Sequence, residues 1–243
     1  MTYLLIHGGG STARFWDRLL PYLDQPALAI DLPGRNGKPA DFGTLTVDDE
    51  VASVLADVEA ATLPAAEPIV VVAHSSGGLV VPGVVAGLGD RVTRVVLSAA
   101  LVPPVGGCGL DCMKPAHRDG LKAAMEESRK NGIVITLPAP PEDPESFRRT
   151  YGGDPLDDDT LAFVVDPVRS VTDTVNHYFQ PVDFSTIAPV PITYVLNEQD
   201  RPIPVAMQEE MITRLPGTPV VVRLDSGHVP PVTCPQIFAN VIK

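Results

Sequence analysis

The stretch from Ile69 to Gly78, IVVVAHSSGG, constrains the fold of this chain more than any other. Four β-branched residues in a row, Ile69 to Val72, suit a strand buried on both faces of a parallel sheet. Ala73-His74-Ser75-Ser76-Gly77-Gly78 stops that run abruptly, and a helix-like segment, Leu79 to Leu88, follows at once. Strand, tight turn and helix with a serine at the apex is the setting of a G-x-S-x-G-type motif, because the turn lifts one hydroxyl out above the sheet. Ser75 occupies the apex. Its neighbours two positions away, Ala73 and Gly77, are small, as a crowded turn demands, with alanine where the motif usually has its first glycine. The competing reading is a phosphate-binding turn built from free amides at a helix N-terminus. Neither G-K-[ST] nor G-x-G-x-x-G stands here, so the choice rests on partners further along the chain.

At 243 residues, 44% of them hydrophobic, the chain can bury one sizeable α/β core without staples. A net charge of −12 and a pI near 4.7 repel phosphate backbones and anionic membrane surfaces, so neither nucleic acid nor a membrane is expected as a partner. The three cysteines, Cys108, Cys112 and Cys234, are too few for a disulfide framework, and the first residues, TYLLI, read as a strand rather than a basic, cleavable leader. A cytoplasmic protein is the expectation. No apolar run approaches the roughly 20 residues that would span a bilayer.

Thr2 to Ile6 is a short apolar run ended by His7-Gly8-Gly9-Gly10, with Ser11 or Thr12 placed to cap a helix over about Ala13 to Leu23. Three consecutive glycines admit close backbone approach to a ligand and expose amide groups, as an oxyanion hole requires; they also suit a plain tight turn. His7 reads as a hydrogen-bonded structural residue. Ala27 to Asp31 gives the next strand, and Asp31 reads as a carboxylate that fixes the following Leu32-Pro33-Gly34 loop. Thr46 caps a helix with Asp48, Asp49 and Glu50 in its first turn and Val51, Leu55 and Val58 at helical spacing. Arg94 to Ser98 is a further strand.

From about Pro103 to Pro189 the alternation of strand and helix breaks down. Prolines cluster between Pro103 and Pro155, and helices are expected near Pro115 to Asn131 and near Asp158 to His177. We read residues 103–189 as a lid inserted into a core made of residues 1–102 and 190–243, since the segment has few aliphatic clusters from which to build a core of its own. Cys108, Cys112 and His117 lack a fourth ligand and the paired spacing of zinc sites, and Asp157-Asp158-Asp159 lacks a glutamate at calcium-loop spacing, so no metal is expected. His117 and His177 either line a pocket or face water. The regular pattern resumes with Ile192 to Leu196, a helix over about Val205 to Arg214, a last strand, Val220 to Leu224, and a closing helix, Pro235 to Ile242, capped by Thr233.

In a parallel sheet every strand delivers its following loop to the same edge, so Gly8 to Gly10, Ser75, Asp200 and His228 emerge on one rim. The order serine, acid, histidine along the chain is that of the α/β-hydrolases. With IHGGG, DLPG, SSGGL, the YVLNEQD loop and the late GH, the sequence resembles the α/β-hydrolase fold superfamily, and within it the small esterase and hydroxynitrile lyase branch. The resemblance covers the core and hardly the lid. It implies a mostly parallel six-stranded sheet with helices on both faces, with Ser75 as nucleophile, His228 as general base and later acid, Asp200 as the carboxylate behind the imidazole, and the amides of Gly9 and Ser76 as the oxyanion hole. No cofactor is implied. Glu198 and Asp225 are the rival acids: Glu198, two residues from Asp200, matches the family's position less well, and Asp225 is too close to His228 in the chain for easy docking.

The hydroxynitrile lyases of that branch carry a lysine directly after the histidine, whereas this chain has Val229. An apolar neighbour favours hydrolysis of a small or medium apolar ester or lactone, with Gly8, Gly10, Phe15, Trp16, Leu101, Val102, Phe163, Tyr178 and Val229 as candidate pocket walls. Carbon–carbon bond cleavage on the same groups, and a ligand-binding protein without turnover, are the alternatives.

Overall fold

Eight strands form among the described residues, in chain order β1 (Thr2–Ile6), β2 (Ala27–Ile30), β3 (Ile69–His74), β4 (Val92–Ser98), β5 (Thr136–Leu137), β6 (Asp173–Thr174), β7 (Ile192–Asn197) and β8 (Val220–Leu224). The computed structural model describes residues 1–138, 141, 143–153 and 157–243; Pro140 and Pro155 of the proline cluster fall outside them. Six strands make one sheet in the order β2-β1-β3-β4-β7-β8, parallel throughout, while β5 and β6 pair separately and antiparallel. The helices are α1 (Val47–Ala60), α2 (Val81–Leu88), α3 (Pro115–Asn131), α4 (Pro144–Tyr151), α5 (Asp158–Val165), α6 (Val205–Ile212), α7 (Pro230–Thr233) and α8 (Pro235–Ile242). None is long and apolar enough to cross a membrane.

Strand side chains alternate between faces, and each face has its own core. Leu4, Ile6, Val71, Ala73, Val95 and Leu97 pack with Val54 and Val58 of α1 and Val84 of α2 on one side. Tyr3, Leu5, Val70, Val72 and Val96 pack with Trp16, Leu19 and, from α8, Phe238 and Ile242 on the other. Burying both faces explains why the central strands are unbroken aliphatic runs. It also fixes the strand ends, and with them the loops that carry polar residues, along one edge.

Local chemistry sets the helix limits. The Thr46 hydroxyl accepts the Asp49 amide hydrogen at 3.0 Å while the Asp49 carboxylate accepts that of Thr46 at 3.0 Å, a reciprocal cap on α1. Val51 and Leu55 are only half-buried, because they face α2 across Gly83 and Gly87 rather than the sheet. Three expected elements differ. Residues 13–23 form two 3-10 turns, Ala13–Trp16 and Leu20–Tyr22, with Pro21 supplying no amide hydrogen for a continuous helix. The helix expected to reach His177 ends at Val165, since Asp166 precedes Pro167 and takes an extended ψ of 125°. The closing helix starts at Pro235 as expected but has Cys234 at its N-cap, and Thr233 instead ends α7 with its hydroxyl donating to the Val229 carbonyl at 3.2 Å.

Candidate active site

Ser75 stands between β3 and a 3-10 turn, Ser75–Val80, with φ at +52°. A residue with a Cβ is strained there by roughly 1–3 kcal/mol, which persists only where the surroundings impose it. They do. A Cβ at Gly77 would stand 2.4 Å from the His7 carbonyl oxygen, so β1 leaves room for backbone alone, and the Leu101 amide donates to the Ser75 carbonyl at 2.9 Å.

The Ser75 hydroxyl lies 3.0 Å from Nε2 of His228, and Nδ1 of the same ring lies 2.6 Å from Oδ2 of Asp200. A carboxylate only accepts, so Nδ1 carries the proton and the Nε2 lone pair faces the hydroxyl. The other Asp200 oxygen accepts the Ile203 amide hydrogen at 2.8 Å, which fixes the carboxylate at both ends. His228 is held through its backbone too: its amide donates to the Tyr151 carbonyl at 2.9 Å, and its carbonyl accepts from Nε2 of His74 at 2.7 Å. His74 is stacked on Phe15 with centroids 4.9 Å apart, and burial pushes its pKa well below the ordinary histidine value, so it stays a neutral donor.

The glycine loop is pinned at both shoulders. Nδ1 of His7 donates to the Gly8 carbonyl at 2.8 Å, and its Nε2 accepts the Leu32 amide hydrogen at 3.3 Å; burial, with the Arg35 cation nearby, lowers its pKa to about 4. The Gly10 amide donates to Asp173 at 2.9 Å. Asp173 is paired with the fully buried Arg35, whose other nitrogens donate to the carbonyls of Ser11 at 3.1 Å and Pro33 at 2.6 Å. Between the shoulders, the Gly9 amide meets no acceptor among the described residues. The hydroxyls of Tyr178 and Ser76 stand beside it; a Cβ on Gly9 would lie 2.9 Å from the first and 3.2 Å from the second.

These groups floor a cavity of about 1160 Å³. Gly9, Gly10, Phe15, Leu101, Phe163, Tyr178 and Val229 line it with Ser75, Asp200 and His228, while Ser76 is buried beside Gly9. Gly8, Trp16 and Val102 do not. Gly8 is wedged behind the serine, where a Cβ would stand 2.8 Å from that of Ser75. Trp16 turns into the core toward Phe238, and Val102 is buried with its amide 3.3 Å from the Met211 sulfur. His117 lines the cavity, but His177 is buried in an ion pair with Glu50 at 3.1 Å. The rival acids are occupied elsewhere: Glu198 pairs with Arg223 on the surface, and Asp225 accepts from Gln199.

Sequence reasoning missed α4, which brings Phe147 and Tyr151 to the cavity and the Tyr151 carbonyl to His228. Its signal was present in Asp143-Pro144, an N-cap and first-turn pair, followed by two aromatic residues four apart. Cys112 also lines the wall, and no group of three or more metal-ligating side chains gathers among the described residues.

A parallel sheet whose strand ends bring serine, carboxylate and histidine into one hydrogen-bonded chain defines an α/β-hydrolase. The chain belongs to the Alpha/beta hydrolase family, whose model matches residues 3–241. It is 25% identical to the esterase PIR7B of Oryza sativa subsp. japonica, over 99% of this chain and 93% of that protein. It is 24% identical to the pyrethroid hydrolase of Sphingobium wenxiniae, over 98% and 85%. Among solved structures, an extracellular α/β-hydrolase from a Paenibacillus species, described as sharing structural and functional homology with tobacco salicylic acid binding protein 2, superposes with a TM-score of 0.80. The two are 20% identical, and the match covers 100% of this chain and 97% of the other.

Proposed function

We propose that this α/β-hydrolase is a carboxylic ester hydrolase that works through an acyl-enzyme on Ser75. The observation that carries the reading is the chain Asp200–His228–Ser75, with a serine held at positive φ at its end. The esterases and hydrolases among its relatives support it. Ser75 Oγ attacks the ester carbonyl as its proton passes to Nε2 of His228, and the new negative charge on the carbonyl oxygen is met by the amides of Gly9 and Ser76. Asp200 stabilises the resulting imidazolium. The C–O bond then breaks, His228 gives its proton to the departing alkoxide, and the acyl group stays on Ser75. Water attacks that acyl group, its proton goes to Nε2, and collapse returns the proton to Ser75 Oγ and releases the carboxylic acid.

In the same reading, residues 103–189 act as the lid that sets specificity over a core of residues 1–102 and 190–243. Leu121, Leu137, Phe147 and Phe163 supply apolar wall from that segment. Turnover of a chain-length series of p-nitrophenyl esters by the wild-type protein and by Ser75→Ala tests the mechanism. Hydrolysis abolished in the variant, with a fluorophosphonate adduct on Ser75 of the wild type, is the expected result. Activity that survives the substitution would sink it.

A further inference from the structure

The chain carries 18 Lys and Arg against 30 Asp and Glu, yet the cavity wall inverts that balance. Lys114, Arg149, Arg169 and Arg201 line it beside His117, and among the described residues its one carboxylate is Asp200, already occupied by His228 and Ile203. Arg169 is neutralised by Asp17 and Asp166, at 3.1 and 2.7 Å, and lies over the Phe163 ring. Arg149 has the exposed Glu145 3.7 Å away, donates to the Ser146 hydroxyl at 2.7 Å and acts on the Asp143 carboxylate, all on the surface of α4. Lys114 and Arg201 pair with no carboxylate among the described residues.

These cations form one group. Lys114 Nζ donates to the Arg201 carbonyl, and Arg201 Nη1 donates to the Arg149 carbonyl at 3.4 Å. His117 lies three residues after Lys114, in the first turn of α3, which holds no acidic side chain. Arg201 directly follows Asp200, so the group flanks the reacting centre while the aromatic residues of α4 and α5 form apolar wall. A wall on which, among the described residues, cations outnumber carboxylates is complementary to a ligand of negative charge.

We propose that the substrate is an ester bearing a second, anionic group, such as the half-ester of a dicarboxylic acid, whose anion docks against Lys114, His117 and Arg201. This deepens the esterase reading and rests on it. The neutral part of the ester lies along the aliphatic and aromatic wall, and the charged end stays at the half-exposed mouth, where it keeps part of its hydration. Because the cations are partly solvated, the attraction is moderate and screened by salt.

The test compares monomethyl esters of the linear dicarboxylic acids from succinic to suberic with neutral isosteres in which an isopropyl group replaces the free carboxylate. Acetate esters of ω-hydroxy acids place the anion on the alcohol side instead. At the best length the anionic ester is expected to lead its isostere at least tenfold in kcat/KM, about 1.4 kcal/mol. That ratio should fall toward one in Lys114→Gln/Arg201→Gln, and in the wild type as salt rises from about 0.05 to 0.5 M. Calorimetric binding of the same half-esters to Ser75→Ala reads the anion subsite without turnover. Neutral esters equal or better at every length, or a preference that survives the double substitution, overturns the proposal and leaves the Ser75 mechanism standing. Half-esters bound but never hydrolysed would keep the anion subsite and remove the mechanism. No binding and no turnover of any ester overturns both.

Discussion

The backbone carbonyl of Tyr151 accepts the amide hydrogen of His228 at 2.9 Å, so the segment between β4 and β7 holds the histidine loop directly. The neighbouring Gly152 pairs with Asp200 in a one-residue antiparallel bridge. That segment therefore buttresses two of the three site residues as well as covering them.

Gly152→Ala is the sharpest probe of this buttress. Gly152 has φ at +77°, and a Cβ there would stand 2.0 Å from the Gln199 carbonyl oxygen. The substitution is expected to cost about 1–3 kcal/mol of stability and to lower kcat by displacing the loops of Asp200 and His228. Thermal unfolding and ester turnover measured on the same preparation check it; wild-type values for both would refute the buttress.

Asp200→Asn is expected to keep the fold and lose activity by a factor on the order of 10³–10⁴. The asparagine oxygen can still accept from Ile203, which turns its NH₂ toward Nδ1 of His228. The ring then carries its proton on Nε2 and cannot take one from Ser75. A pre-steady-state burst assay locates the loss in acylation.

Gly9→Ala tests the glycine loop. The added methyl meets the Tyr178 and Ser76 hydroxyls and moves the Gly9 amide, which meets no acceptor among the described residues, so kcat should fall by roughly 10²–10³ with KM little changed. Far-UV circular dichroism and Tm near wild type would show that the loss is local.

Stability should fall as pH drops from about 6.5 toward 4. His7 has a folded pKa lowered from 6.5 to about 4, so the unfolded chain binds more protons across that window and acid favours unfolding. By linkage this one residue contributes about 3 kcal/mol that is present above pH 6.5 and lost on acidification. His74 acts in the same direction. His177 acts oppositely: burial disfavours its charge, but Glu50 outweighs that and raises its pKa, so its contribution is complete below 6.5 and adds no slope there. Urea midpoints at pH 7.5, 6, 5 and 4 measure the fall, and His7→Gln should flatten it.

The sheet and the residues at its edge were legible because one rule links them: parallel strands send their following loops the same way, so Ser75, Asp200 and His228 could be placed together from the strands alone. The walls were less legible. Phe15 and Trp16 are adjacent and both apolar, and only the pitch of a 3-10 turn, where an α-helix was expected, sends the first into the cavity and the second into the core. The helix α4 was hidden among prolines. Arg35 and Asp173 are 138 residues apart, and no local pattern announces that such a pair will set the glycine loop.

The order of strands in the sheet has a consequence for synthesis. β1 to β4 form a contiguous half, and β7 and β8 are added at one edge. A chain emerging from the ribosome can assemble the first half, with Ser75 already lifted on its turn, before Asp200 and His228 have been translated. In the proposed mechanism the nucleophile is thus born without its base. A truncated product that stops short of β8 would carry the serine but stay chemically silent, and the cell meets an active hydrolase only when the last strand has docked.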